Sequence, residues 1–238
     1  MAIFLTSLLK THIKDENGIK HPMPIENEND ILTNIKKYLR GTNRMVYVAN
    51  DPNNIDENEI RIIPVFQSFD LTGLKFKEKI LLDCRNQKHA REILLGADLI
   101  ILSGGKCPCQ INFFKKIGLK RILKKYQGIV IGISAGSMNL CKTVANFPEE
   151  LVDLKQPRWL KGLGKTDEII IPHFDGETKT YQIDCDEIDL INDYVLPMSH
   201  KRDFIGIPNG SYILIDNDSK VHYYGNMYVI SKGEVHKR

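Results

Sequence analysis

Gly128-Ile129-Val130-Ile131-Gly132-Ile133-Ser134-Ala135-Gly136 is the stretch from which the fold can be read. A short run of apolar, β-branched residues bounded by glycine reads as a strand buried on both faces, as strands inside a parallel sheet are. The pentapeptide that follows, Gly132-Ile133-Ser134-Ala135-Gly136, has the Gly-x-Ser-x-Gly form of a nucleophile elbow. There a strand turns abruptly into a helix and pushes the serine hydroxyl out over the strand tips. Cβ atoms on the two glycines would collide with the neighbouring strand and helix, and the serine is held in a strained backbone conformation.

On either side of the elbow the pattern alternates. Residues 3–5, 45–49, 79–83, 99–103 and 129–133 read as strands. Between them lie stretches of helical periodicity at 30–39, 55–69 with Pro64 as a break, 89–95, 112–126, and from 135 onward. Strand, helix, strand in this order implies right-handed crossovers and a mostly parallel sheet covered on both faces, a three-layer αβα fold of the α/β class. After Asp167 the texture changes. Residues 168–171 read as one more strand, 181–195 as a helix, and 204–235 as short strands split by Pro208-Asn209-Gly210, Asp216-Asn217-Asp218 and Gly225-Asn226. Those strands are expected to form C-terminal β-hairpins closing one edge. With no repeat, low-complexity tract or linker in view, residues 1–238 read as a single domain.

Composition narrows the function classes. A net charge of +3 over 238 residues gives no expectation of nucleic acid or an anionic membrane. The densest basic cluster, Lys115, Lys116, Lys120, Arg121, Lys124 and Lys125, has the spacing of a solvated helix face. No segment is long and apolar enough to span a bilayer, and the first nine residues lack the marks of a signal peptide, so a cytoplasmic protein is expected. Five cysteines at irregular spacing suit a reducing compartment. Cys107-Pro108-Cys109 lacks the spacing of a zinc or redox motif and reads as a loop. Asp216-Asn217-Asp218 opens like a calcium loop, but Val221 and Met227 stand where that loop needs Gly and Glu, so a hairpin turn is expected.

A nucleophilic serine needs a base. Of the seven histidines, His173 follows the strand at 168–171 through Pro172, which puts it at a strand's carboxyl end, where open α/β sheets place their ligands. Ser134 sits at such an end too. His222, inside a hairpin strand, is the reserve candidate. An acid must then orient the imidazole. Glu149, Glu150, Asp153, Asp167 and Glu168 all lie between Ser134 and His173, with Pro148-Glu149-Glu150 the first place to look. Oxyanion donors are expected from the backbone N–H of Ala135 and from the glycine turn Ser103-Gly104-Gly105-Lys106.

Together, Leu102-Ser103-Gly104-Gly105, Gly132-Ile133-Ser134-Ala135-Gly136-Ser137, Pro172-His173-Phe174 and Gly176-Glu177-Thr178 resemble the ordered motifs of peptidase E, the aspartyl dipeptidases related to cyanophycinase. The resemblance runs over most of the chain. It implies a flavodoxin-like, class I glutamine-amidotransferase-like fold with serine in place of that class's cysteine. It also implies Ser134 as nucleophile, His173 as base, and an acid about fifteen residues after the serine, Glu149 or its neighbour Glu150, as orienter. Acyl transfer onto a short peptide substrate would need no metal or organic cofactor and no nucleic-acid or membrane partner; a homodimer is an allowed assembly. Two departures bear on the substrate pocket. Lys179 stands where the dipeptidases have an arginine that grips the substrate's aspartate, and Lys106-Cys107 replaces Asn-Thr after the substrate-facing Gly104-Gly105. Two other classes stay open: an α/β-hydrolase-type esterase, and a non-catalytic amidotransferase-like binding protein.

Overall fold

The computed structural model describes residues 1–147, 158–177, 180–183 and 186–238. The chain opens with β1 (Ala2–Thr6), a small hairpin of β2 (His12–Lys14) and β3 (Lys20–Pro22), and helix α1 (Ile31–Tyr38). It then alternates through β4 (Arg44–Val48), α2 (Ile55–Leu71), β5 (Glu78–Leu82), α3 (Ala90–Leu95), β6 (Leu99–Leu102), α4 (Cys107–Lys116), α5 (Leu119–Ile122), β7 (Ile129–Ile133) and α6 (Ala135–Leu140). A hairpin of β8 (Thr143–Ala145) and β9 (Trp159–Lys161), the strand β10 (Ile170–Pro172) and the pair β11 (Thr180–Ile183) and β12 (Asp186–Asp189) follow. The last part comprises a π-helical turn at Leu190–Val195, α7 (Leu196–Ser199), β13 (Phe204–Ile207), β14 (Tyr212–Ile215), β15 (Val221–Tyr224), β16 (Tyr228–Ser231) and β17 (Glu234–Lys237).

Among the described residues a seven-stranded sheet has the order β15-β14-β1-β7-β6-β4-β5. Within it β1, β7, β6, β4 and β5 run parallel, and β14 and β15 add an antiparallel edge. Alternation along each strand feeds two cores. Ile3, Leu5, Val130 and Leu102 face a cluster with Phe113, Leu119 and Leu140 of the α4–α6 side. Ala2, Phe4, Ile129 and Ile131 face the other, with Ile31 and Ile35 of α1 and Ile62, Val65 and Phe69 of α2. This two-sided burial is what makes the strands continuous apolar runs. The result is the three-layer αβα architecture.

A second sheet, β10-β13-β16-β17, carries its own core of Ile169, Ile171, Phe174, Phe204 and Ile230. Its one parallel pair, β10 with β13, sets Pro172 opposite Ile207. The C-terminal strands therefore do two things. β14 and β15 close the edge of the main sheet, as the sequence implied, while β13 pairs instead with the strand that precedes His173, and β16 and β17 extend that second sheet beyond it.

Four local expectations are corrected. Helix α2 runs unbroken through Pro64. One lost hydrogen bond and the ring clash cost about 3 kcal/mol. Burial of Ile62, Val65 and Phe69, at roughly 1.5–3 kcal/mol each, outweighs that cost. The periodicity at 112–126 belongs to two helices, because Gly118 adopts a left-handed conformation (φ 67°) and ends the first. Cys107-Pro108-Cys109 is no loop but the first turn of α4, where a proline near the start costs no helical hydrogen bond. The helix expected at 181–195 is instead the β11/β12 pair followed by the π-helical turn. Its misleading signal came from Ile188, Ile191 and Val195, which are buried at helical spacing although Ile188 lies in a strand.

The elbow is tied to β1 by Ser137, whose buried hydroxyl accepts from the Thr6 N–H (2.8 Å) and donates to the Thr6 carbonyl (2.7 Å). Ser137→Ala leaves a buried backbone N–H without its acceptor. It is expected to lower the unfolding free energy by about 1–3 kcal/mol, checked by urea denaturation against the parent chain.

Candidate active site

The strand-to-helix turn at Ser134 has the strain its sequence implies. Ser134 sits at φ 51°, ψ −115°, a region that side-chain-bearing residues avoid. A Cβ on Gly132 would lie 2.7 Å from the Ser137 backbone, and one on Gly136 would lie 2.2 Å from the Leu102 carbonyl oxygen at the end of β6. Neither backbone can yield, so both positions require glycine. The Ser134 N–H donates to the Thr6 carbonyl (2.9 Å), which anchors the strained residue to the end of β1.

His173 reaches the same rim from the second sheet. It too has a positive φ, 60°, directly after β10. Its backbone N–H donates to Ser7 Oγ (3.0 Å), and Ser7 Oγ donates to the Ile207 carbonyl at the end of β13 (2.6 Å). Ser7 is fully buried and immediately follows the Thr6 that holds the elbow. The side chains then meet: His173 Nε2 lies 3.1 Å from Ser134 Oγ. On its other nitrogen, Nδ1 lies 2.7 Å from Asn209 Oδ1.

The glycine turn after β6 packs directly on the serine. A Cβ on Gly104 would touch Ser134 Cβ at 3.4 Å. Gly105 has φ 139°, and a Cβ there would run into the Asn50 side chain at 2.5 Å. Asn50, just past β4, holds the turn from behind: its amide oxygen accepts from the Lys106 N–H (3.1 Å) and its amide nitrogen donates to the Lys106 carbonyl (3.1 Å). Gly105, Ser134, Ala135 and His173 together line a cavity of about 440 Å³ whose other walls are largely apolar, with Pro108, Met138, Phe147 and Ile171 among them. Gly104 faces an adjoining cleft of about 260 Å³ with Tyr47 and Asp51.

Two thiols near this site are held protonated. Burial, with the Asp51 carboxylate adding to it, pushes the Cys109 thiol up. Burial pushes Cys141, at the end of α6, further up. Neither is poised as a competing nucleophile.

Other sequence candidates lie elsewhere. His222 pairs with Asp216 (2.8 Å) in the hairpin of β14 and β15, separated from β7 by β14 and β1, and does not approach Ser134. Asp167 is solvated and pairs with Lys142 (3.0 Å). Glu168 accepts from the Tyr223 hydroxyl (2.7 Å). Neither of these acids orients His173. Glu149, Glu150, Asp153 and Lys179 lie outside the described residues. Sequence reading missed Ser7, Asn50 and Asn209, three short polar residues at strand ends. Their position just past a parallel strand was the available signal.

Residues 26–222 match the model of peptidase family S51, a span that includes the elbow and the Pro-His-Phe segment and ends within β15. The chain belongs to peptidase family S51. It is a serine-type peptidase of the peptidase E kind. A search of curated proteins gave no match. Among solved structures, a peptidase from an acI-B1 Actinobacterium superimposes with a TM-score of 0.61 at 16% identity, covering 100% of this chain and 93% of its own. A Listeria monocytogenes EGD-e protein put forward as peptidase E gives 0.58 at 14%, covering 93% of this chain and 96% of its own. At such identities these neighbours speak to the fold, the class I glutamine-amidotransferase-like αβα arrangement. Among the described residues no helix is long and apolar enough to cross a membrane.

The candidate site hangs on Ser7, which links β1, β10 and β13 in one buried joint. Ser7→Ala takes the acceptor from the His173 N–H. A loss of about 1–3 kcal/mol in unfolding free energy is expected, measured by guanidinium denaturation followed by fluorescence.

Proposed function

We propose that this chain hydrolyses short peptides by two-step acyl transfer, with Ser134 as nucleophile and His173 as general base. The observation that carries the reading is the 3.1 Å approach of His173 Nε2 to Ser134 Oγ across two sheets, beside a glycine turn with bare amides. Ser134 Oγ attacks the scissile carbonyl carbon while its proton passes to Nε2. The backbone N–H groups of Ala135 and Gly105 are the donors proposed for the resulting oxyanion, and Gly104 lets the substrate backbone approach. The imidazolium then protonates the departing amine as the C–N bond breaks. Water, deprotonated by the same nitrogen, hydrolyses the acyl-enzyme. A cavity of about 440 Å³ accommodates a short peptide rather than a folded chain.

The finer assignments belong to the same proposal. Glu149 is the acid proposed to stabilise the imidazolium, and Lys179 the cation proposed to meet a substrate carboxylate, as a point charge rather than a bidentate fork. Residues 1–238 are taken as one domain acting in the cytoplasm, with a homodimer as its candidate assembly.

Wild type, Ser134→Ala and His173→Ala are to be compared on dipeptides and p-nitroanilides with N-terminal Asp, Glu, Ala or Leu. Turnover by wild type and its loss by at least about 10³-fold in both variants is expected. Fluorophosphonate is expected to label wild type and not Ser134→Ala. Cleavage of short-chain esters with no peptide cleaved would replace this reading by an esterase. A folded wild type that neither turns over nor takes the label would leave a binding protein.

A further inference from the structure

We infer that Asn209 is a positioning residue for this reaction, its side-chain carbonyl fixing which imidazole nitrogen of His173 carries the proton. The inference rests on the reading of Ser134 and His173 as nucleophile and base. Asn209 Oδ1 lies 2.7 Å from Nδ1, and Ser134 Oγ lies 3.1 Å from Nε2. An amide oxygen can only accept, so the Nδ1 that faces it carries the hydrogen. A neutral imidazole has one N–H, which leaves a lone pair on Nε2, and the Ser134 hydroxyl donates to it. The opposite tautomer would set two lone pairs against each other at Asn209 and aim an N–H at Ser134. In that state the ring could not take the serine's proton.

The fold delivers Asn209 to this place through strand register. Parallel pairing of β10 with β13 sets Pro172 opposite Ile207, so His173 and the Pro208-Asn209-Gly210 turn leave the sheet side by side. The turn is pinned on its far side. The Ser211 N–H returns to the Pro208 carbonyl (3.2 Å), the Asn29 side chain donates to the Gly210 carbonyl (3.0 Å), and Gly210 holds φ 81°. Asn209 is thus a short side chain on a fixed backbone. Being uncharged, it selects the tautomer but adds no negative charge for the imidazolium formed during attack. That second task is separate, and an acid can perform it independently.

The test reads the tautomer directly. Long-range ¹H–¹⁵N spectra of the His173 ring, assigned by the signal that His173→Gln removes, are to be recorded on the alkaline side of its titration. Wild type is expected to show hydrogen on Nδ1. Asn209→Ala, an exposed position whose variant is checked for folding by circular dichroism, is expected to move population to Nε2–H. Its kcat on any peptide that wild type cleaves is expected to fall roughly 10- to 100-fold with KM little changed. Asn209→Asp keeps an acceptor and is expected to keep Nδ1–H and restore turnover. Wild type protonated on Nε2, or Asn209→Ala still protonated on Nδ1, would overturn the assignment. The tautomer is read without turnover, so a chain that cleaves no peptide defeats the peptidase reading by a separate observation.

Discussion

The site depends on one buried polar joint at the end of β1. Thr6 receives the elbow: its carbonyl accepts from the Ser134 N–H and from the Ser137 hydroxyl, and its own N–H donates to Ser137. Ser7, the next residue, receives the histidine segment through the His173 N–H and passes a hydrogen bond on to the Ile207 carbonyl. The Phe174 N–H also ends on Ile207. Two adjacent residues therefore bring together an elbow that belongs to one sheet and a histidine that belongs to another. The joint is shielded from water, so a missing partner there is not replaced by solvent.

That joint explains how two strained residues persist side by side. Ser134 and His173 both hold positive φ, a conformation that costs of order 1–3 kcal/mol for a residue with a side chain. Such a cost is tolerated where the surroundings over-determine the backbone. The elbow is fixed by the Thr6 hydrogen bonds and by two glycines whose missing Cβ atoms let helix α6 and strand β6 close on the turn. The histidine is fixed by Ser7 and by its neighbour Phe174, whose ring lies where a Cβ on Gly206 would be, at 2.2 Å. Strain in both residues points their side chains toward each other across the gap between the sheets.

Much of this was legible in the sequence, and the reasons are physical. Strands buried on both faces write themselves as continuous apolar runs, so β1, β4, β6 and β7 could be read directly, and the half-buried edge strand β5 still showed itself through Ile80-Leu81-Leu82. The elbow's glycines are demanded by backbone contacts a few residues away, and a local constraint leaves a local motif. The β11/β12 pair was not legible, because Ile188, Ile191 and Val195 mimic a helical stripe while straddling a strand end and a π-helical turn. Pro64 misled for the opposite reason. Its effect is local and certain, but the burial that overrules it is spread along α2 against the sheet.

The asparagines mark the limit of single-sequence reading. Asn50 grips Lys106 from 56 positions away, and Asn209 faces His173 across 36. Each sits in a turn-rich stretch where asparagine is the expected residue whether or not it does anything more. The separation of role from pattern is inherent, since an amide offers both a donor and an acceptor on a short arm and so serves turns and polar joints alike. Only strand pairing removes the ambiguity. Once β10 lies parallel to β13 with Pro172 opposite Ile207, the turn after Ile207 has to leave beside His173, and its asparagine acquires a partner. The same logic applies at β4 and β6, paired with Val48 opposite Leu102, which sets Asn50 beside the glycine turn that follows. Register, which pairs residues distant in sequence, is the step between the motif and the finished site.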